Sequence, residues 1–346
     1  MGCAQPSIPA GPVTPPKGNL LVVVNDNSPD SLEVGAYYAR RRSIPSVSVL
    51  HIKTLDSEEI MLDRYQREIE APIKQKLKGS NVSYIVMTTG IPIRLNARHG
   101  YAVDQFLSAM DLPITPIEEL GKGLDLNHWK NPYYGSQTHF DHKKTKTYIV
   151  TRLIGYDVEQ CKKLVDNAVA AKRSKGPFAF VEASNRNNRG YQNLQVAMEM
   201  SAQSLGKSGY TVNLDKSGRF PILDGPVAGY CSWGSNDGHF DGAAYHSLRF
   251  QPGALAQTFV STSGRTFHPT QGGQSLIADL IEQGVTGVAG YVSEPYTFGL
   301  ARPDILFDRY TKGFNLGESF AAASPLVKWK EIIVGDPLCR PYGKGK

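Results

Sequence analysis

Short apolar runs, each followed by a polar turn and an amphipathic stretch, set the rhythm of this chain. Leu20-Leu21-Val22-Val23-Val24 is apolar at every position and rich in valine, which marks a strand buried on both faces. It ends in Asn25-Asp26-Asn27-Ser28, and Pro29 then suits the first turn of a helix running to about residue 42. Residues 46–52 read as the next strand, Ser57 as the cap of a charged helix reaching about residue 77, and residues 84–87 as a third strand. Strand, helix, strand, helix, strand predicts βαβ units and a parallel sheet.

Residues 112–146 break the rhythm with Pro113, Pro116, Pro132, the pair Tyr133-Tyr134 and a His-rich end, and read as an inserted loop. The alternation then resumes. Strands are expected over 147–152, 178–182, 211–214, 227–231, 256–260, 285–291 and 329–334. Helices are expected over 157–172, 193–205, 273–283, 303–312 and 316–323. The organisation is a flexible Pro-rich tether (1–17), a smaller N-terminal α/β subdomain (18–111), the inserted loop, and a larger α/β domain (147–342).

With 346 residues, 40% of them hydrophobic and 20% charged, the chain has material for a large core. No apolar run approaches the roughly 18–20 residues that span a bilayer. A net charge of +6 is modest for this length. Arg40-Arg41-Arg42 falls at a helix end, where cations complement the dipole, so nucleic acid is not an expected partner. Cys161, Cys231 and Cys339 are odd in number and widely spaced, which fits neither a disulfide framework nor a zinc site.

The first residues, Met1-Gly2-Cys3-Ala4, lead into Pro6, Pro9, Pro12, Pro15 and Pro16. No signal-peptide apolar segment is present there, and Pro6 stands where an N-myristoylation pattern wants Ser or Thr. The start is similar to the mature end of a bacterial lipoprotein, which implies a lipid on Cys3 and a place outside the cytoplasm, secreted or in the cell envelope. A chance cysteine on a disordered end is the plainer alternative.

Candidate chemistry gathers after strand ends, where ligands bind in open α/β sheets. Asn25–Ser28, Thr88–Gly90, Ser232–Asp237, Ser261–Gly264 and Ser293–Glu294 are polar clusters of this kind. Binding candidates are Asn25, Thr89, Trp233, Ser235, Asn236, Asp237, Ser263 and Glu294. The first strand–helix turn has no glycine, so it is not a phosphate loop, and no Gly-x-Ser-x-Gly elbow occurs. No cofactor is implied. His128, His139, Asp141 and His142 offer metal-ligand chemistry, yet an exposed polar loop explains them as well, and no metal is expected.

Residues 148–342 resemble the catalytic domain of gingipain-type cysteine peptidases, which have a caspase-like fold. Gly335-Asp336-Pro337 matches a motif near that domain's end. Tyr230-Cys231-Ser232-Trp233-Gly234 stands where the family's histidine turn belongs, and Val260-Ser261-Thr262-Ser263-Gly264 where its cysteine turn belongs. From about residue 20 the chain also resembles a family of secreted bacterial proteins that shares this distant relationship and has no assigned activity. Tyr37-Tyr38-Ala39, Ile44-Pro45, Thr89-Gly90-Ile91-Pro92 and Trp233-Gly234-Ser235-Asn236-Asp237 carry that resemblance. The implied fold is a caspase/gingipain-like, mostly parallel sheet flanked by helices.

The departures shape the functional expectation. Trp233 replaces the general-base histidine, and indole accepts no proton at neutral pH. Ser261 replaces the nucleophilic cysteine, and a hydroxyl is a weak nucleophile without a positioned base. The first expectation is therefore a non-catalytic protein that binds a peptide, glycan or protein through its cleft. The second is a serine-dependent hydrolase, with Ser261, His268 and Asp237 arranged as a triad. Cys231 lies within an apolar strand, where a free thiol is inert packing.

Overall fold

Leu20, Val22 and Val24 face one layer of the core while Leu21 and Val23 face another. The first strand, β1 (Leu20–Asn25), is thus buried on both sides, as its unbroken apolar run requires. The computed structural model describes residues 19–96, 99–114, 126–185, 187 and 189–343. Cys3 with its tether, and part of the 112–146 segment, lie outside the described residues.

After β1 come β2 (Val49–Ile52), β3 (Glu59–Ile60), β4 (Tyr84–Thr88), β5 (Arg94–Leu95), β6 (Ile149–Leu153) and β7 (Phe178–Val181). They are followed by β8 (Val212–Asp215), β9 (Val227–Ser232), β10 (Phe250–Thr258), β11 (Gly287–Tyr291) and β12 (Glu331–Gly335). Ten of these form one sheet in the order β2-β1-β4-β6-β12-β11-β10-β9-β7-β8, and β3 and β5 pair apart as a short ribbon. Pairing is parallel from β2 through β6 and from β11 through β8. At the centre, β12 runs antiparallel to β11 and meets β6 at the single pair Val334–Arg152. The architecture is α/β, a mostly parallel sheet flanked by helices, as expected from the sequence.

One face of the sheet is covered by helices Pro29–Arg42, Val158–Ala170 and Ile277–Glu282, through Val34, Tyr38, Leu164, Val165, Ile277 and Leu280. Helices Gln192–Lys207, Pro303–Thr311 and Leu316–Ala323 join Phe178 and Phe180 in a second cluster. Tyr65, Ile69, Ile73 and Phe106 close a third beside Leu21 and Val23. Arg152 is fully buried in β6, and its guanidinium reaches Asp104 (2.8 Å), the Ile91 carbonyl (2.7 Å) and the Pro92 carbonyl (2.6 Å). A buried cation is tolerable when paired and hydrogen-bonded in this way, and here it fixes the turn that follows β4.

Three elements differ from their sequence pattern. Ser57 caps no helix: its hydroxyl donates to the Glu59 carbonyl at 2.9 Å, residues 59–60 pair with β5, and helix begins only at Leu62. Residues 46–48 form a 3₁₀ turn before β2. The helix expected over 273–283 is only Ile277–Glu282, because the Gln274 and Ser275 side chains are engaged by the turns at Thr262 and Ser235. In the 112–146 segment, the Asn131 amide donates to the Ala321 and Ser324 carbonyls (2.8 and 3.0 Å), capping the end of Leu316–Ala323.

Candidate functional site

Where the resemblance implies a catalytic histidine, β9 delivers Trp233 into the core. Its ring is 1% exposed, stacks on Tyr191 with centroids 3.7 Å apart, and donates its N–H to Gln195 at 2.7 Å. Trp233 is therefore packed as a core aromatic. Gly234 follows with φ +48°, and a Cβ there would come within 2.6 Å of Ser275 Oγ. Only glycine fits a left-handed residue under such a close approach. Cys231 is fully buried, and desolvation pushes its thiol well above the ordinary range, so it remains protonated packing.

The neighbouring polar residues knit strand ends together. Ser235 and Ser275 exchange hydrogen bonds (Ser275 N to Ser235 Oγ 2.9 Å, Ser235 N to Ser275 Oγ 3.1 Å), and the Asn236 amide donates to the Phe259 carbonyl at 2.6 Å. Asp237 Oδ1 accepts from Ser184 N (3.0 Å), Ser184 Oγ (2.6 Å) and His239 N (3.0 Å). Asn25 is fully buried and pins its turn through the carbonyls of Thr54 (3.3 Å) and Gly90 (2.7 Å). Ser263 is fully buried. Asn25 and Ser263 are thus enclosed, and Asp237 Oδ1 is taken up by Ser184 and His239.

Ser261, at the turn after β10, is partly exposed and donates its hydroxyl to Glu294 Oε2 at 2.6 Å. The other Glu294 oxygen accepts Tyr296 N (2.8 Å), and the Glu294 carbonyl accepts Lys330 Nζ (2.9 Å). Burial lowers the Lys330 ammonium from its usual range. The triad considered from sequence is not assembled. Asp237 is held by Ser184 and His239, Ser261 by Glu294, and the His268 main-chain N–H by Thr266 Oγ1 (3.1 Å).

His268 instead lines a cavity of about 310 Å³ beyond the carboxyl ends of β1, β4 and β6, together with Thr89. Four carboxylate residues line it, Asp30, Asp56, Glu58 and Asp157. Glu58 accepts the Phe267 N–H at 2.7 Å and so carries the loop after β10 across to this end of the sheet. Tyr156 also lines the cavity, and its hydroxyl donates to Asp279 at 2.5 Å. Burial and that carboxylate raise the phenol out of reach of neutral pH. Arg94 joins the two regions, bonding Ser293 Oγ (3.2 Å) and Glu59 (2.7 Å), while Arg265 pairs with Glu59 from the other side (2.8 Å).

A solved structure described as a protease superposes on this chain with a TM-score of 0.54 at 12% identity, covering 96% of this chain and 80% of that one. The fold is protease-like. No family model and no curated protein matches the chain. Within this protease-like fold, the acidic lining was not singled out in the sequence. Glu58 falls within the charged helix expected after Ser57, and Asp30 and Asp157 within the helices expected after Pro29 and from residue 157. The available signal was their recurrence directly after strands β1, β2 and β6.

The His-rich segment turns inward. His139 Nδ1 lies 3.1 Å from Glu318 Oε1, His142 Nδ1 lies 3.0 Å from the Thr147 carbonyl, and His128 packs edge-on against Trp129. Among the described residues, no three His, Cys, Asp or Glu side chains converge as metal ligands.

Proposed function

We propose that this chain is a non-catalytic binding protein built on a protease-like fold, secreted or held at the cell envelope, and that it takes a cationic peptide segment. The observation carrying this reading is the pair of substitutions at the implied catalytic turns. A core-buried Trp233 stands at one, and at the other Ser261 is bonded to a carboxylate rather than to an imidazole. Peptidase chemistry needs a base beside its nucleophile, and these side chains do not supply the Cys/His pair. The acidic cavity supports the choice of ligand. Four carboxylates and one imidazole line it, with a volume suited to one or two side chains, and they favour a lysine- or arginine-bearing segment by charge. Titrating a lysine-rich and a glutamate-rich peptide calorimetrically tests this. Saturable binding of the basic peptide alone, weakened several-fold by Asp56→Asn, is the expected result. Equal binding of both peptides, or of neither, overturns it.

A second reading rests on the 2.6 Å contact between Ser261 and Glu294. A carboxylate placed there is able to take the hydroxyl proton, which would make the chain a serine-dependent hydrolase using Glu294 rather than His268. Lipid attachment at Cys3 belongs to the first reading. Incorporation of a labelled fatty acid by growing cells, abolished by Cys3→Ala, is its test.

A further inference from the structure

Glu331 opens the antiparallel strand at the middle of the sheet, opposite Tyr291 in β11. It is 3% exposed, and among the described residues no basic side chain is paired with it. The buried cation on the neighbouring strand, Arg152, is committed to Asp104 and to two main-chain carbonyls. Beside Glu331 lies a small cavity of about 20 Å³, lined among others by Asp104, Gln105, Ser108, Asn131 and Ser324. One water needs roughly 10–15 Å³ measured in this way, so the space suits a single molecule. Two buried acceptors in that lining, Gln105 Oε1 and Glu331 Oε1, have no hydrogen-bond partner.

Proton counting at Ser324 gives the second, independent argument. Its hydroxyl donates to the Phe320 carbonyl at 2.8 Å and is also bonded to Glu331 Oε2. One hydroxyl proton cannot serve both acceptors. The conflict disappears if Glu331 itself carries a proton and donates to Ser324 Oγ, which passes its own proton to Phe320. The Tyr291 hydroxyl, across the register, accepts from Ala301 N (2.8 Å) and Gln257 Nε2 (3.1 Å).

We propose that Glu331 is a neutral carboxylic acid in the folded protein at pH 7 and that it shares one internal water with Gln105. The water donates one proton to Gln105 Oε1 and the other to Glu331 Oε1, which satisfies both orphaned acceptors. An unpaired carboxylate at this depth would be far costlier than the neutral acid. Desolvation acts in the same direction and outweighs the Ser324 and Tyr291 hydroxyls, which pull the acid down, so that it is raised to about 8. The titratable and charged groups around it are Tyr291 on β11, Tyr148 and Arg152 from β6 and its approach, and Asp104 on the helix Val103–Ser108. Arg152 and Asp104 form a closed ion pair (2.6 Å), so they leave little net charge to hold Glu331 ionised. The proton site is also adjacent to Lys330, whose ammonium holds the Glu294 carbonyl beside Ser261.

Unfolding then releases a proton. Below the unfolded carboxyl value of about 4.5 both states are protonated, and between about 4.5 and 8 only the folded state is. Stability contributed at this site is therefore fully present in acid and is lost as pH rises through that window. Glu331→Gln keeps the shape and hydrogen bonds of the neutral acid and cannot ionise. The melting temperature of the native protein, relative to this variant, should fall steadily from pH 5 to pH 8. Calorimetric unfolding at pH 6.5 in buffers of different ionisation enthalpy should release about one proton fewer from the variant. Parallel pH profiles and equal proton release overturn the proposal. If the variant does not fold, carboxyl infrared spectra of the native protein decide: a protonated-acid band at pH 7 supports the assignment and its absence overturns it. A crystal structure must also show one water bridging Gln105 and Glu331, and an empty or cation-filled cavity refutes that half.

Discussion

Arg42 Nε lies 2.5 Å from Asp336 Oδ2, although 294 positions separate them in the chain. Asp336 is fully buried, and its other oxygen accepts from the Tyr38 hydroxyl (2.8 Å) and the Leu338 N–H (2.9 Å). Gly335 before it has φ +135°, and a Cβ would stand 2.6 Å from the Thr286 carbonyl. The Gly-Asp-Pro motif is thus a staple that holds the first helix to the end of β12. Removing one partner of a buried pair costs about 3–5 kcal/mol, because the other is left unmatched. Asp336→Ala should lower the free energy of urea unfolding by about that much. A change below about 1 kcal/mol would show that the motif holds nothing.

Trp233→Phe keeps an aromatic ring against Tyr191 but removes the donor to Gln195. Gln195 is itself buried, so its carbonyl would be left without a partner at a cost of about 1–3 kcal/mol. Peptide affinity should not move, since Trp233 does not line the acidic cavity. A large affinity loss with unchanged stability would return Trp233 to the binding surface.

Fluorophosphonate labelling separates the two functional readings. With Ser261 held by Glu294 and no imidazole bonded to it, the native protein should remain unlabelled, as should Ser261→Ala and Ser263→Ala. Labelling that disappears in Ser261→Ala, and also in Glu294→Gln, would establish the hydrolase.

Attraction between a basic peptide and partly exposed carboxylates is screened by salt, with a Debye length near 10 Å at about 0.1 M and near 3 Å at about 1 M. Binding at the cavity should weaken about tenfold or more over that range. Salt-independent binding would mean that Asp30, Asp56 and Asp157 are not what the ligand meets.

Much of the fold was legible because its determinants are local. An unbroken Val/Leu run such as residues 20–24 must be buried on both faces, and Pro29 after a polar turn starts a helix in any context. Ser57 misled for the opposite reason. A cap followed by charged residues is a helix start only if nothing pairs with the strand-forming dipeptide between them, and Arg94–Leu95 does pair with Glu59–Ile60. Trp233 reads from the sequence equally as a core lid or as a stacking platform, and only the fold shows it buried, with its polar neighbours bonded to one another and to Phe259 and Ser275.

The sequence by itself determined the strand and helix alternation, the parallel α/β class, and the absence of a cysteine and histidine at the two implied catalytic turns. These follow from residue identity and from periods of two and 3.6, which act over a few neighbours. Only the tertiary structure decided that Ser261 meets Glu294 rather than His268, that Asp237 belongs to Ser184, and that four acids from three separate segments line one cavity with His268. Those pairings depend on which strand ends the sheet order brings side by side. A sheet running β2-β1-β4-β6-β12-β11-β10-β9-β7-β8 makes neighbours of loops that are far apart in the chain.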